Sequence, residues 1–176
     1  MQIKRIVTGE LEENCYLISN EDHLFVVDPG SDYAKIKKML NGRKVDFVLI
    51  THHHFDHIGA LPDLLNEFPV SVFDASNLKE KEYQKNDFHF WVIATPGHTN
   101  DSISFYFPDE KVLFSGDFLF LESIGRWDLP TGNINQMAES ITKIKKLPND
   151  CKVYPGHGEE TTIEHEKKYN YYFQNV

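Results

Sequence analysis

Short apolar runs bounded by turn residues recur along the chain, and each predicts a strand or a helix. Gln2 to Val7, Asn14 to Ser19 and His23 to Val27 read as antiparallel strands, with Gly9 and Asn20-Glu21-Asp22 as the turns between them. Asp28-Pro29-Gly30 ends the third strand abruptly. Tyr33, Ile36 and Leu40, with Met39, make a helical stripe closed near Gly42. Val45 to Ile50 reads as a buried strand, and Ile58 to Leu65 as a helix start with Pro62 in its first turns. A short strand at Val70 to Phe73 precedes the polar stretch Ser76 to Lys85, which reads as a helix or a loop. Phe88 to Ala94 is a further strand, and Ser102 to Phe107 with Lys111 to Phe114 form a hairpin turned at Pro108-Asp109. Ile134, Met137, Ile141, Ile144 and Leu147 give a helix over Asn133 to Leu147 its buried stripe, with Lys143, Lys145 and Lys146 as its solvated face. A strand at Lys152 to Tyr154 and a helix from about Thr162 close the pattern, the last anchored by Tyr169, Tyr171, Tyr172 and Phe173. Two β-rich halves result, each with its own helices.

The polar residues that matter sit where these strands stop. Thr51-His52-His53-His54-Phe55-Asp56-His57 places four imidazoles and a carboxylate within six residues, between a buried strand and a helix. If the backbone stays extended past the strand, His52 and His54 share a face and His53 points away. Asp56 follows on the same alternation, and His57 enters the turn. Imidazole nitrogen and carboxylate oxygen are the ligands of zinc and iron(II). A solvated histidine tract would bind metal adventitiously, but such tracts do not normally lie between two rigid elements. Three later strands also end in candidate ligands: His98 in Thr95-Pro96-Gly97-His98-Thr99, Asp117 after Ser115-Gly116, and His157 in Pro155-Gly156-His157-Gly158. Singly, a histidine in a Pro-Gly loop is ordinary and Asp117 could cap a turn. Together the five histidines and two aspartates suit two metal ions with a shared carboxylate and open positions for water.

Composition narrows the class. A chain of 176 residues is expected to form one domain, residues 1–176, with a core that needs no staples. Hydrophobic content of 40% and charged content of 26% are those of an ordinary globular protein. A net charge of −9 argues against a nucleic-acid partner, although two bound divalent cations would make one cleft locally positive. Cys15 and Cys151 form neither a disulfide framework nor a metal spacing, and Cys15 is expected to be a buried thiol. Neither a signal segment nor a membrane-length apolar run is present, so no membrane partner and a cytoplasmic location are expected.

The ordered set T-H-x-H-x-D-H, P-G-H-T, S-G-D and P-G-H-G, spread over essentially the whole chain, resembles the metallo-β-lactamase superfamily. The resemblance implies an α+β fold, a four-layer αβ/βα sandwich of two mixed sheets flanked by helices, with metals at one edge of the sheets. It assigns His52, His54 and His98 to one metal and Asp56, His57 and His157 to a second, with Asp117 bridging. Asp28, in the V-D-P-G turn, would orient a ligand histidine. Aspartate at 117, where secreted β-lactamases of this fold often carry cysteine, and the segments Glu13 to Ile18, Ile124 to Pro130 and Thr161 to Ile163 resemble short glyoxalase II-like hydrolases. Full-length glyoxalase II adds a C-terminal helical domain that helps bind glutathione, whereas 19 residues follow His157 here. Arg126 and Asp128 stand near that family's loop lysine and tyrosine, so the resemblance does not carry glutathione specificity.

The expected activity is metal-dependent hydrolysis of a small-molecule thioester or related ester, with two Zn²⁺, or iron or mixed metals, as cofactors. Asp56 would steer the attacking water while ligating. Arg126 has two readings, a fork for a substrate carboxylate or an internal pair with Asp128. Trp127 is expected to pack rather than wall the site, and His53 to be packed or to support the ligands. His23, His89 and His165 are expected at the surface or on strands. The main rival is a persulfide dioxygenase of the same fold, using one iron on His52, His98 and Asp117. A nuclease and a non-catalytic metal-binding protein are further alternatives. Oligomeric state is not legible.

Overall fold

The computed structural model describes residues 1–176. In chain order its first half contains β1 (Gln2–Thr8), β2 (Glu13–Ser19), β3 (Leu24–Val27), α1 (Tyr33–Leu40), β4 (Phe47–Leu49), α2 (Phe55–Ile58), α3 (Leu61–Glu67) and β5 (Ser71–Phe73). Next come β6 (Glu82–Lys85), β7 (Phe88–Ala94), β8 (Ile103–Phe107), β9 (Val112–Gly116), and the ribbon β10 (Leu119–Phe120) with β11 (Ser123–Ile124). The chain ends with α4 (Ile134–Ile144), β12 (Lys152–Pro155), β13 (Thr161–Thr162), α5 (Ile163–Tyr169) and α6 (Tyr171–Gln174). One sheet has the order β1-β2-β3-β4-β5 and the other β13-β12-β9-β8-β7-β6. Both are mixed: β3, β4 and β5 run parallel in the first, and β12 runs parallel to β9 in the second.

The two-residue period of a strand creates the layers. Tyr16, Ile18, Phe25, Val27, Phe47 and Leu49 face the space between the sheets, where they meet Phe88, Phe90, Phe105, Phe107 and Phe114. The alternate residues Cys15, Leu17, Val26, Val48 and Ile50 face outward onto Ile36 and Leu40 of α1 and Leu64 of α3. On the far side Leu113 and Val153 pack on Met137, Ile141, Ile163 and Phe173 from α4, α5 and α6. The result is an αβ/βα sandwich. Aromatic rings stitch its middle, with Phe25 4.7 Å from Phe88 and Tyr16 5.2 Å from Phe114 between centroids. Each such buried ring contributes about 1.5–3 kcal/mol. Cohesion of the sheets therefore rests on this layer, which leaves the loops at their edge free to carry polar groups.

Strand direction then decides where those loops meet. β3 and β4 are parallel, so Asp28 and the run from Thr51 leave the first sheet at the same edge. β7 and β9 are each antiparallel to β8, and β12 is parallel to β9, so His98, Asp117 and His157 leave the second sheet together. α4 braces the His98 loop from behind. Its cap Asn133 donates its backbone N–H to the Gly97 carbonyl at 2.8 Å, and Ser140 Oγ donates to the Pro96 carbonyl at 2.8 Å. Gly97 has φ 143, and a Cβ there would lie 2.6 Å from the Met137 backbone, so only glycine fits this approach.

Several expectations need correction. The stretch Ser76 to Lys85 ends in an edge strand, β6, paired with β7. Its polar composition suits a sheet edge, and Tyr83, stacked 5.8 Å from Phe90, supplies its apolar side. The helix expected from Ile58 is split into α2 and α3, and α2 begins early enough to include Asp56 and His57. Of the terminal aromatics only Phe173 is buried, while Tyr169, Tyr171 and Tyr172 are exposed. Ile134, at the start of the α4 stripe, is also exposed. Cys15 is a buried free thiol, and so is Cys151.

Candidate metal centre

At the shared edge the seven side chains converge. Ligand atoms of His52, His54 and His98 lie within 4.8 Å of one another, as do those of Asp56, His57 and His157, and of His52, His57 and Asp117. Asp117 lies between the first two trios. Its Oδ1 is 3.2 Å from His57 Nε2, and its Oδ2 is 3.5 Å from His157 Nε2, 3.6 Å from His98 Nε2 and 4.0 Å from His52 Nε2. Asp56 Oδ2 is 3.2 Å from His157 Nε2 and 3.8 Å from His57 Nε2. His54 is turned the other way, with Nδ1 2.9 Å from His98 Nε2. Gly156 makes room for this packing: a Cβ there would lie 2.1 Å from Asp117 Oδ1 and 2.6 Å from His57 Cε1.

The far sides of four of the five rings are anchored. His57 Nδ1 donates to Asp28 Oδ2 at 3.0 Å, His98 Nδ1 to the Arg126 carbonyl at 2.6 Å and His157 Nδ1 to the Leu11 carbonyl at 3.0 Å. His52 Nδ1 meets Thr51 Oγ1 at 3.1 Å, and that hydroxyl donates to Asp28 Oδ2 at 2.6 Å. Asp28 takes φ 49, in the left-handed region, which turns its carboxylate into the protein.

Whether the donor set fits a metal is tested by the atoms that point inward. His52 Nε2, His57 Nε2 and Asp117 Oδ1 are buried, and apart from the 3.2 Å approach of the last two to each other none has a hydrogen-bond partner. An unpaired buried polar atom is costly, and three of them aimed at one point fit a bound cation. The protonation states agree. Burial and the neighbouring His57 push His52 well below its usual value, toward the neutral ligand form. Burial opposes charge on Asp117, but the imidazoles around it, His57 foremost, hold it well below the usual carboxylate range. Burial also opposes charge on His157, yet Asp117 and Asp56 raise it to about 10. A metal ion would displace that proton.

The centre opens into a cavity of about 410 Å³, with Leu11, Phe55, Phe120 and Leu129 as its apolar wall and Arg126 at its rim. Phe55 is 73% exposed and Leu11 53%, so neither serves the core. The Arg126 fork is closed on Asp128 by two bonds of 3.0 Å, Nε to Oδ1 and Nη2 to Oδ2. Trp127 is exposed and outside this wall.

The sequence profile of the metallo-β-lactamase superfamily matches residues 8–82 and 78–157. The chain belongs to that superfamily. As a member, it is a metallo-hydrolase with a binuclear His/Asp site. It is 32% identical over 206 residues to the hydroxyacylglutathione hydrolase GloC of Haemophilus influenzae, covering 97% of each chain. Among solved structures it resembles the BLEG-1 B3 metallo-β-lactamase, with TM-score 0.92 and 33% identity over 98% of this chain and 99% of that one. It also resembles a protein crystallised in a di-iron-bound form, with TM-score 0.88 and 28% identity over 96% and 99% of the two chains.

Within this superfamily member, every residue proposed from the sequence as a ligand reaches the centre, and Asp28 touches His57. The sequence offered no sign of the Leu11 and Arg126 carbonyls, because backbone acceptors leave no mark on residue type. Phe55 did leave one: a large apolar residue inside a run of ligands. His53 faces outward, as strand alternation requires, and is half-exposed rather than packed. His23, His89 and His165 lie away from the centre, beside surface carboxylates.

Proposed function

We propose that this metallo-hydrolase cleaves a small-molecule thioester in the manner of glyoxalase II, with two zinc ions. The two inward-facing trios with Asp117 between them carry the proposal, because they could hold two cations side by side and they open onto a walled cavity. His52, His54 and His98 would hold one ion, Asp56, His57 and His157 the other, and Asp117 both. Bound there, the ions supply a Lewis acid for the carbonyl and water acidic enough to attack at neutral pH. The protein does the rest. Asp28, Thr51 and the carbonyls of Leu11 and Arg126 fix the rings. Asp56 faces His157 with Oδ2, which leaves Oδ1 to orient water at the carbonyl. Leu11, Phe55, Phe120 and Leu129 hold the apolar part of the substrate and exclude bulk water, and Arg126 marks the end that receives a polar substituent. Two buried free thiols suit a cytoplasmic site of action.

The likeness to a protein crystallised with iron keeps a second reading, a dioxygenase that uses a single iron on His52, His98 and Asp117. One experiment separates them. Protein expressed under metal limitation is loaded with zinc or iron and assayed for thioester hydrolysis and for oxygen uptake with glutathione persulfide. Hydrolysis that follows zinc at about two ions per chain supports the proposal. Oxygen uptake by the iron form alone transfers the assignment.

A further inference from the structure

His53 is the one histidine of the Thr51–His57 run that does not face the metals, and both of its ring nitrogens are engaged. Nδ1 lies 2.6 Å from Asp101 Oδ2 and Nε2 lies 3.1 Å from Asp74 Oδ2. The two carboxylates come from opposite halves of the sandwich. Asp74 follows β5 at the edge of the first sheet, where its other oxygen accepts from the Ser76 N–H at 2.8 Å and is held in a local turn. Asp101 lies in the connection from β7 to β8 of the second sheet, three residues beyond His98. That connection is closed on itself by Thr95 N–H to the Ser102 carbonyl at 3.0 Å and by Thr99 Oγ1 to Ser102 Oγ at 2.6 Å. It therefore moves as a unit with His98. A backbone bond from Ile103 N to the Thr51 carbonyl at 2.9 Å joins the same two loops on the other side of the run.

The geometry points to His53 as a positioning residue: its bridge between Asp74 and Asp101 fixes the separation of the loops that carry His52, His54 and His98, and so sets the metal affinity of that trio without touching the ion. The effect should be selective. His57 is tied down through Asp28 and His157 through Leu11, with Asp56 against His157, and none of these links passes through His53. Residues that hold ligands in place typically contribute about 10–100-fold to metal affinity. His53 acts one step further out, so about tenfold is expected.

The test is a cobalt(II) titration of the metal-free full-length chain, followed by its visible absorption and by competition with a chelator. His53→Ala, Asp101→Asn and their double variant are compared with the parent. The expected result is one of two dissociation constants raised about tenfold, the other within about twofold, an altered absorption band for the weakened ion and no change in the Tm of the metal-free protein. In the double variant the effects should not add, because both changes break the same bridge. If His53→Ala does not fold, Asp101→Asn alone decides. Two unchanged constants would overturn the inference, and so would an equal loss at both ions accompanied by a lower Tm, which marks a structural role only.

Discussion

Replacing Asp28 by asparagine reverses the polarity of one oxygen and should disable ligands in both trios. Asparagine tolerates the left-handed φ of 49 at this position, so the backbone is preserved. In the parent, Oδ1 accepts the Thr51 backbone N–H at 2.8 Å, while Oδ2 accepts Thr51 Oγ1 at 2.6 Å and His57 Nδ1 at 3.0 Å. Thr51 has then donated its only hydroxyl hydrogen and can only accept from His52 Nδ1 at 3.1 Å. One carboxylate thereby places hydrogen on Nδ1 of both rings and directs both Nε2 lone pairs at the metals. In Asp28→Asn the backbone N–H keeps the amide oxygen, so the NH₂ occupies the Oδ2 position and donates where it must accept. His57 Nδ1 becomes an acceptor, the Thr51 hydroxyl swings to His52, and both rings carry hydrogen on Nε2. Loss of such a partner costs about 10–100-fold in affinity, or about 1.4–2.8 kcal/mol per ion. Zinc titration against a chelating chromophore reads both constants. Thr51→Val is the control, because it cuts the relay to His52 and leaves Asp28 on His57, so one ion should weaken and the other should not. Parental affinity for both ions in Asp28→Asn would refute the reasoning.

Gly156→Ala should lower kcat/KM at least about hundredfold, since a Cβ 2.1 Å from Asp117 Oδ1 displaces the shared ligand; parental kinetics in a folded variant would show that Asp117 is not held by this contact. Phe55→Ala removes a side chain that is 73% exposed, so Tm should stay put while KM for an apolar thioester rises about tenfold with kcat unchanged; a fall in kcat alone would contradict the wall assignment. Metal uptake should release protons. His157, raised to about 10, and His57, raised well above its usual value, are charged in the metal-free protein at pH 7. Their protonation stabilises the metal-free fold fully below about pH 6.5, and the His157 share is lost as pH rises through about 10. Metal affinity runs the opposite way and should climb with pH over that interval. Calorimetry in buffers of different ionisation enthalpy should find about two protons released at pH 7, and no release would exclude these states.

Much of this was legible because strand ends and ligand residues coincide in the sequence. Val48-Leu49-Ile50 before His52, and Val112-Leu113-Phe114 before Asp117, announce both a buried strand and what hangs from it. Within each sheet parallel pairing aligns such ends, β3 with β4 in one and β9 with β12 in the other, and the packing of the two sheets brings the sets together. What stayed hidden depends on distant partners. Glu82 to Lys85 is too short and too polar to declare itself a strand until Phe90 lies beneath Tyr83. The His157 ring is set by a carbonyl 146 residues away. The solvent-facing side of His53 was correctly inferred from alternation, yet Asp74 and Asp101 carry no sequence signal that ties them to it. Arg126 shows the limit for a rim residue, since its fork meets Asp128 and its carbonyl, which no side-chain argument weighs, meets His98.

The placement of the charges argues that the ions serve chemistry rather than cohesion. Each trio draws ligands from both halves of the sandwich, so bound metal does cross the seam between the sheets. The aromatic layer beneath already crosses it, from Tyr16 and Phe25 to Phe88, Phe107 and Phe114, and the Tyr16 hydroxyl donates across it to the Pro155 carbonyl at 2.6 Å. The site also opens onto the cavity lined by Leu11, Phe55, Phe120 and Leu129, whereas a structural ion is closed off by its protein ligands. Asp56 and Asp117 are the carboxylates among the candidate ligands, and two divalent ions would more than offset them. Their charge would lie beside the wall of Leu11, Phe55, Phe120 and Leu129, where low dielectric strengthens its pull on an electron-rich group. An apolar wall beside a charged and open centre serves a reaction and adds nothing to cohesion.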